Sequence, residues 1–325
     1  MATLTNIQAI NRTLAQQMEK DPTVVVFGED VGFEGGVFRA TAGLQKKFGE
    51  KRCFDTPIAE AGIIGAGLGM AINGLKPVTE IQFSGFVLPA YNQIVAHVAR
   101  MRNRTRGKYS VPMVIRMPYG GGIRALEHHS ESQEAIFAHI PGLKVVIPST
   151  PYDMKGLLTA AIKDPDPVIF MEPKRIYRAF KQEVPDEEYI VPIGKAKVVK
   201  EGTDITVVAW GAMVREVQKS MKVLEEEGIS VELIDLRTIS PIDQETIIES
   251  VKKTGRFLVV HEAVRAFGPG AELISIVNKH AFLSLEAPPT RITGFDTIVP
   301  LDKGEHHYII KPERITYEVK KLIKY

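Results

Sequence analysis

Three polar groups in the first half of the chain could do chemistry together: Glu60, Gln82 and the pair His128 and His129. Glu60 heads the run Ala61-Gly62-Ile63-Ile64-Gly65-Ala66-Gly67-Leu68-Gly69-Met70-Ala71, which carries no charge. The run predicts a helix capped by Thr56, with Pro57 in its first turn. Glu60 then sits where the helix dipole favours a negative charge. Residues this small and apolar predict a buried helix, with Gly62, Gly65 and Gly69 letting another backbone lie close. A carboxylate at the mouth of a buried helix needs something to meet it. Phe83 and Phe86 set aromatic surface beside Gln82. One carboxylate, one amide and an aromatic wall suit a flat heteroaromatic ligand. His128 and His129 follow the flexible stretch Gly120-Gly121-Gly122 and suit proton transfer near neutral pH. Each residue alone also fits a plainer role. Glu60 could be a simple helix cap, the histidines surface residues, and Gln82 and Phe86 the edge of a core.

The elements that would position these groups alternate. Apolar runs at 24–27, 52–55, 77–83, 111–117, 143–148 and 168–172 predict strands. Helical spacing is expected over 5–20, 41–48, 88–102, 132–139 and 152–163, with Glu131 and Glu134 placed as in a capping box. Alternation of this kind predicts an α/β fold with a parallel, doubly wound sheet. Such sheets bind ligands beyond the carboxyl ends of their strands, where Glu60, Gln82 and the histidines stand. Residues 1–180 form this first domain. Residues 181–194 are polar and proline-marked and read as an interdomain linker. The alternation resumes over 195–325 as a smaller α/β domain. It ends in a helix with an apolar stripe of Ile315, Val319 and Leu322.

The chain has 325 residues, 44% of them hydrophobic, enough for one or two well-buried cores. A net charge of +2 and no basic block interleaved with aromatics argue against nucleic-acid binding. The single cysteine, Cys53, excludes an internal disulfide and a cysteine metal cluster. No apolar run is long enough to cross a membrane, and a cytoplasmic setting is expected. There is no phosphate loop, dinucleotide fingerprint or zinc spacing. A Gly-Asp-Gly followed by Asn-Asn, which would hold a magnesium diphosphate, is also missing.

The runs 24–32, 55–62, 74–83, 139–146 and 167–172, with His129-Ser130, together resemble one family. It is the β subunit of thiamine-diphosphate-dependent 2-oxo acid dehydrogenases, and the sequence closely resembles the bacterial pyruvate-decarboxylating type. The resemblance implies a pyrimidine-binding domain followed by a transketolase C-terminal-type domain. It implies a separate α subunit that carries the diphosphate and magnesium, in an α2β2 heterotetramer. On this sequence Glu60 would face the ring nitrogen of the aminopyrimidine, with Gln82 and Phe86 around the ring. His129, next to Ser130, would position a lipoyl dithiolane or donate a proton during reductive acetylation. A potassium ion would sit at Met113, Ala161, Ile162, Asp164 and Asp166, mainly on main-chain carbonyls. The expected partners are the lipoyl and subunit-binding domains of a dihydrolipoyl acetyltransferase. Glu286, Asp296, Asp302 and Glu305 offer acidic groups for a basic docking partner. Pyruvate is the expected substrate; branched-chain 2-oxo acids, acetoin or a non-catalytic docking scaffold are the alternatives.

Overall fold

The unbroken apolar runs become strands covered on both faces, as parallel sheets require. In the computed structural model, which describes residues 1–325, every residue of Val24–Gly28, Val114–Tyr119 and Val168–Pro173 is buried. The first domain's sheet has seven strands, the edge strand Thr238–Ser240 being supplied by the second domain. From edge to edge its strands are Thr238–Ser240, Lys144–Val146, Val168–Pro173, Val114–Tyr119, Lys76–Glu80, Val24–Gly28 and Cys53–Asp55. All pairings are parallel except that of Thr238–Ser240. Val24–Gly28 pairs with the next strand on one side and the one after it on the other. Its carboxyl end is therefore a topological switch point, the usual place for a ligand crevice.

Helix Asn6–Lys20 forms as its periodicity predicts, closed by a capping box between Thr5 and Gln8. Its apolar stripe packs with helix Pro151–Lys163 on one face of the sheet. On the other face, Ile63, Ile64 and Leu68 of helix Glu60–Ile72 pack with Ile94 and Val98. The region expected as a helix over 88–102 is irregular: a 3-10 segment over Ser84–Ala90, a π-turn over Ile94–Val98 and a short helix over Met101–Arg104. Pro89 lies inside the first of these and denies it a regular ladder. The capping box expected at Glu131 and Glu134 does not form: helix Glu134–Ala138 starts after Gln133 without a side-chain cap.

Residues 181–194 run from the first domain to the second and are anchored on the way. Gln182–Val184 pairs antiparallel with Ala2–Leu4, Val191 is buried, and Tyr189 stacks on Tyr152 at 4.5 Å. Their polar side chains point outward while backbone bonds and two rings anchor them. The second domain has a five-stranded sheet, in the order Thr290–Ile292, Phe257–Val260, Ile205–Ala209, Val231–Asp235, Lys197–Lys200. The two domains share one core. Met117, Tyr119 and Ile147 of the first pack in the same cluster as Trp210, Ile234 and Leu273 of the second.

Candidate active site

The switch point is shaped by backbone bonds and one aspartate. The Thr56 N–H donates to Gly28 O at 3.0 Å, which prolongs the ladder past Asp55. The Asp55 carboxylate accepts from Gly32 N at 2.6 Å and Phe33 N at 3.0 Å. Thr56 therefore stays extended, as a residue before proline prefers. The helix starts three residues later than the sequence suggests. Ala59 is its N-cap, without a side-chain bond, and Glu60 is its first residue. Neither Thr56 nor Pro57 caps it.

Glu60 is half-buried rather than buried and makes no hydrogen bond or ion pair within the chain. The helix itself is only half covered. Gly62 and Gly69 are exposed, and a Cβ on Gly69 would meet nothing within 4 Å. The tightly packed glycine is Gly67, whose Cβ would lie 2.5 Å from Met113 Cε and 3.1 Å from Thr79 Cγ2. The expected close approach at Gly62, Gly65 and Gly69 is absent within this chain because those positions turn away from its own sheet.

The structure brings Glu60 and Gln82 to one corner. Gln82 Nε2 donates to Asp30 Oδ2 at 2.9 Å. Glu29, between Gly28 and Asp30, is buried. Burial raises its carboxyl above the usual range, and the charges of Glu60 and Asp30 raise it further. Phe86 meets the His129 ring edge-on with centroids 5.1 Å apart, and Phe83 does so at 4.3 Å. His129 Nδ1 is buried without a partner. Gly85 makes this packing possible, since a side chain there would collide with the His128 carbonyl. His128 is exposed, with Nδ1 3.5 Å from Glu131.

The residues named for potassium lie elsewhere. Met113, Ala161 and Ile162 are buried, and the Met113 and Ala161 carbonyls accept from Val168 N and Asp164 N. The Asp164 carboxylate is bound by Lys144 Nζ at 2.6 and 2.7 Å, and Asp166 by Arg102 Nε at 2.5 Å. Two side-chain cations already occupy the carboxylates, so a metal there would rest on carbonyl oxygens alone.

Sequence reasoning missed the polar seam between the domains. Buried Glu134 accepts from Trp210 Nε1 at 3.3 Å; burial, with the charge of Glu262 adding to it, pushes its carboxyl up to about 7. Glu262 is likewise raised by burial, against the pull of Arg175 and Lys174. Burial lowers the Lys174 ammonium to about 8, opposed by Glu262 and Glu305. A cavity of about 290 Å³ lies along this seam, lined in part by Ser130, Arg175 and Glu262. Glu305, expected on the docking surface, is buried here and faces the first domain, so it cannot meet a partner.

Two family models match the chain: the transketolase pyrimidine-binding domain over residues 2–179 and the transketolase C-terminal domain over 194–315. The chain is 68% identical to the pyruvate dehydrogenase E1 component subunit β of Acholeplasma laidlawii, covering 100% of this chain and 99% of that one. It is 50% identical to the subunit of the same name from Bacillus subtilis strain 168 over the full length of both. The chain belongs to the pyruvate dehydrogenase E1 β-subunit family. Its α/β fold also matches a split-gene transketolase, described as an inactive β4 tetramer, with a TM-score of 0.81 at 21% identity and 99% coverage of each chain. The corner at Glu60 lies within the stretch that the pyrimidine-binding domain model matches.

Proposed function

We propose that this E1 β subunit completes a thiamine diphosphate site together with a separate α chain. The assembled enzyme then decarboxylates pyruvate and reductively acetylates a lipoyl domain. The observation that carries this reading is Glu60: a half-buried carboxylate at a helix start, at the sheet's switch point, with no partner of its own. A protonated ring nitrogen of an aminopyrimidine is the kind of donor that such a carboxylate accepts from. Bound there, thiamine diphosphate supplies the nucleophilic carbon and the electron sink for decarboxylation.

This chain's residues do the rest. Glu60 holds a proton at the ring nitrogen. Gln82, tied to Asp30, keeps the corner polar, and Phe86 walls the ring on one side. His129, held between Phe83 and Phe86, presents its free ring edge to the arriving lipoyl group. The absence of a magnesium–diphosphate motif in this sequence supports an α chain that holds magnesium and the phosphates. A potassium ion would rest on main-chain carbonyls, of which those of Met113 and Ala161 already accept N–H bonds, and no step depends on it. Exposed Glu286, Asp296 and Asp302 remain as acids for docking an acyltransferase.

Glu60→Gln tests the reading. In the assembled enzyme it should lower overall activity by about a hundredfold or more, the scale of losing one preorganised contact to the reacting system. Thermal stability of the chain should change little, because Glu60 has no bonded partner within it. Full activity in the variant would sink the proposal.

A further inference from the structure

The loop that carries His129 ends in a turn of its own, with His129 N donating to Leu126 O at 3.0 Å and Ser130 N to Glu127 O at 2.9 Å, but its tip over residues 121–125 makes no backbone bond within the loop. It is closed at its base by Gly120 N donating to Glu131 O at 2.8 Å, and Ser84 Oγ donates to the same carbonyl at 3.0 Å. Between these ends Ile123 and Leu126 are exposed, so no apolar anchor fixes the tip. The tip is gripped instead by two carboxylates of the other domain. Gly121 N donates to Glu262 Oε1 at 2.9 Å. Gly122 N and Arg124 N donate to the two oxygens of Glu305 at 2.6 and 2.9 Å. Glu262 follows strand Phe257–Val260, and Glu305 lies in helix Asp302–Tyr308.

The backbone is shaped for this grip. Gly120, Gly122 and Arg124 have φ of +84°, +92° and +58°. Positive φ at alternate residues curls successive N–H groups to one side, the arrangement that receives an anion. A side chain on Gly120 would strike the Glu262 carboxylate, and one on Gly122 would lie 2.5 Å from Arg175 Cδ. Lys174 Nζ donates to the Gly120 carbonyl and, with Arg175, balances the charge of Glu262. At its far end the same loop lays the His128 carbonyl over Gly85 and the His129 ring against Phe83 and Phe86.

We propose that Glu262 and Glu305 are positioning residues for His129: the C-terminal domain sets the angle of the His129 loop through a two-carboxylate clamp on the loop's amides. The clamp's bearing on catalysis rests on the reading of His129 as the group that serves the lipoyl arm; its bearing on the loop does not. It gives the second domain a part in the reaction that docking alone would not.

The test uses the assembled enzyme with a purified lipoyl domain. In Glu305→Gln one amide N–H faces a donor instead of an acceptor. Hydrogen exchange at Gly121, Gly122 and Arg124 should quicken by about tenfold or more. Reductive acetylation should fall about tenfold, the scale of a modest misplacement. Decarboxylation with an artificial acceptor should fall less. Added to His129→Ala, Glu305→Gln should cost less than its effect in the wild-type enzyme, because it acts through that ring. Glu262→Gln should repeat the pattern; if it fails to assemble, Glu305→Asp, which withdraws the carboxylate while keeping its charge, replaces it. Unchanged exchange in the loop would overturn the clamp, and so would a Glu305→Gln loss that adds in full to His129→Ala. Equal loss of both half-reactions in His129→Ala would overturn the role of the histidine, leaving the exchange data to judge the clamp.

Discussion

The corner at Glu60 and the interdomain seam treat their carboxylates differently. At the seam Glu134 and Glu305 are buried, Glu262 is half-buried, and all three are met: Glu262 and Glu305 accept backbone N–H groups from the neighbouring domain, while Glu134 meets Trp210. At the corner Glu60 is half-buried with no partner, and the residues around it leave apolar surface open. Ile58 is 84% exposed and Phe33 85% exposed, and the small-residue face of helix Glu60–Ile72 is uncovered. Exposed apolar surface beside an unmet charge marks a place that another molecule finishes. The contrast teaches that this chain satisfies the acids of its own seam and leaves the acid at the corner unpartnered.

The largest expected effect lies at the seam. Trp210 is 1% exposed, stacks on His261 at 5.1 Å and donates to Glu134. Trp210→Ala should lower stability by about 3–5 kcal/mol, the range for emptying a large aromatic site. Denaturant unfolding of the chain would measure it. A small loss would mean that the two domains are joined less firmly than their shared core implies.

Next comes a pH effect. The Glu134 carboxyl lies at about 7 in the folded chain against an ordinary 4.5. The folded state therefore binds the extra proton, and its contribution to stability is fully present below 4.5 and lost as pH rises to about 7. The span corresponds to about 3 kcal/mol. Glu134→Gln keeps an oxygen for Trp210 and removes the titration. The variant should gain on the wild type as pH goes from 5 to 8, and parallel stability curves would contradict this. Burial drives His261 down to about 3, so it weakens the fold as pH falls below about 6.5, but equally in both proteins.

The smallest effect sharpens the contrast within one helix. Gly69→Ala should stabilise the separate chain by up to about 1 kcal/mol, since the new methyl meets nothing and alanine favours helix. Gly67→Ala should destabilise it, because Met113 must move. Thermal unfolding of both variants would show the split; the same sign for both would mean that the face of the helix has been misassigned.

Local signals carried much of this. The stripe of Ile7, Ile10, Leu14 and Met18 gave its helix, the valine-rich runs gave buried strands, and the pattern of two α/β domains follows from them. Where residues act through backbone bonds to distant segments, the sequence is silent. Gln182–Val184 reads as connecting chain because its side chains are polar, and its pairing with Ala2–Leu4 leaves no local trace. Glu305 looks like a surface acid, yet it meets amides 183 and 181 positions away. The only local hint was Gly120-Gly121-Gly122, which signals a curled backbone without saying what it curls around. Glu60, Gln82, Phe86 and His129 were singled out through their motif, and the structure sets Gln82 on Asp30 and Phe86 against His129. The openness of the Glu60 helix was not, because small apolar residues suit a core and an interface equally.

The central claim is that the corner at Glu60 is half of a shared site. Titrating thiamine diphosphate with magnesium into this chain alone, and then into this chain assembled with its α partner, tests it most directly. The account predicts negligible binding by the chain alone and tight, magnesium-dependent binding by the assembly. Tight binding by the chain alone would contradict it.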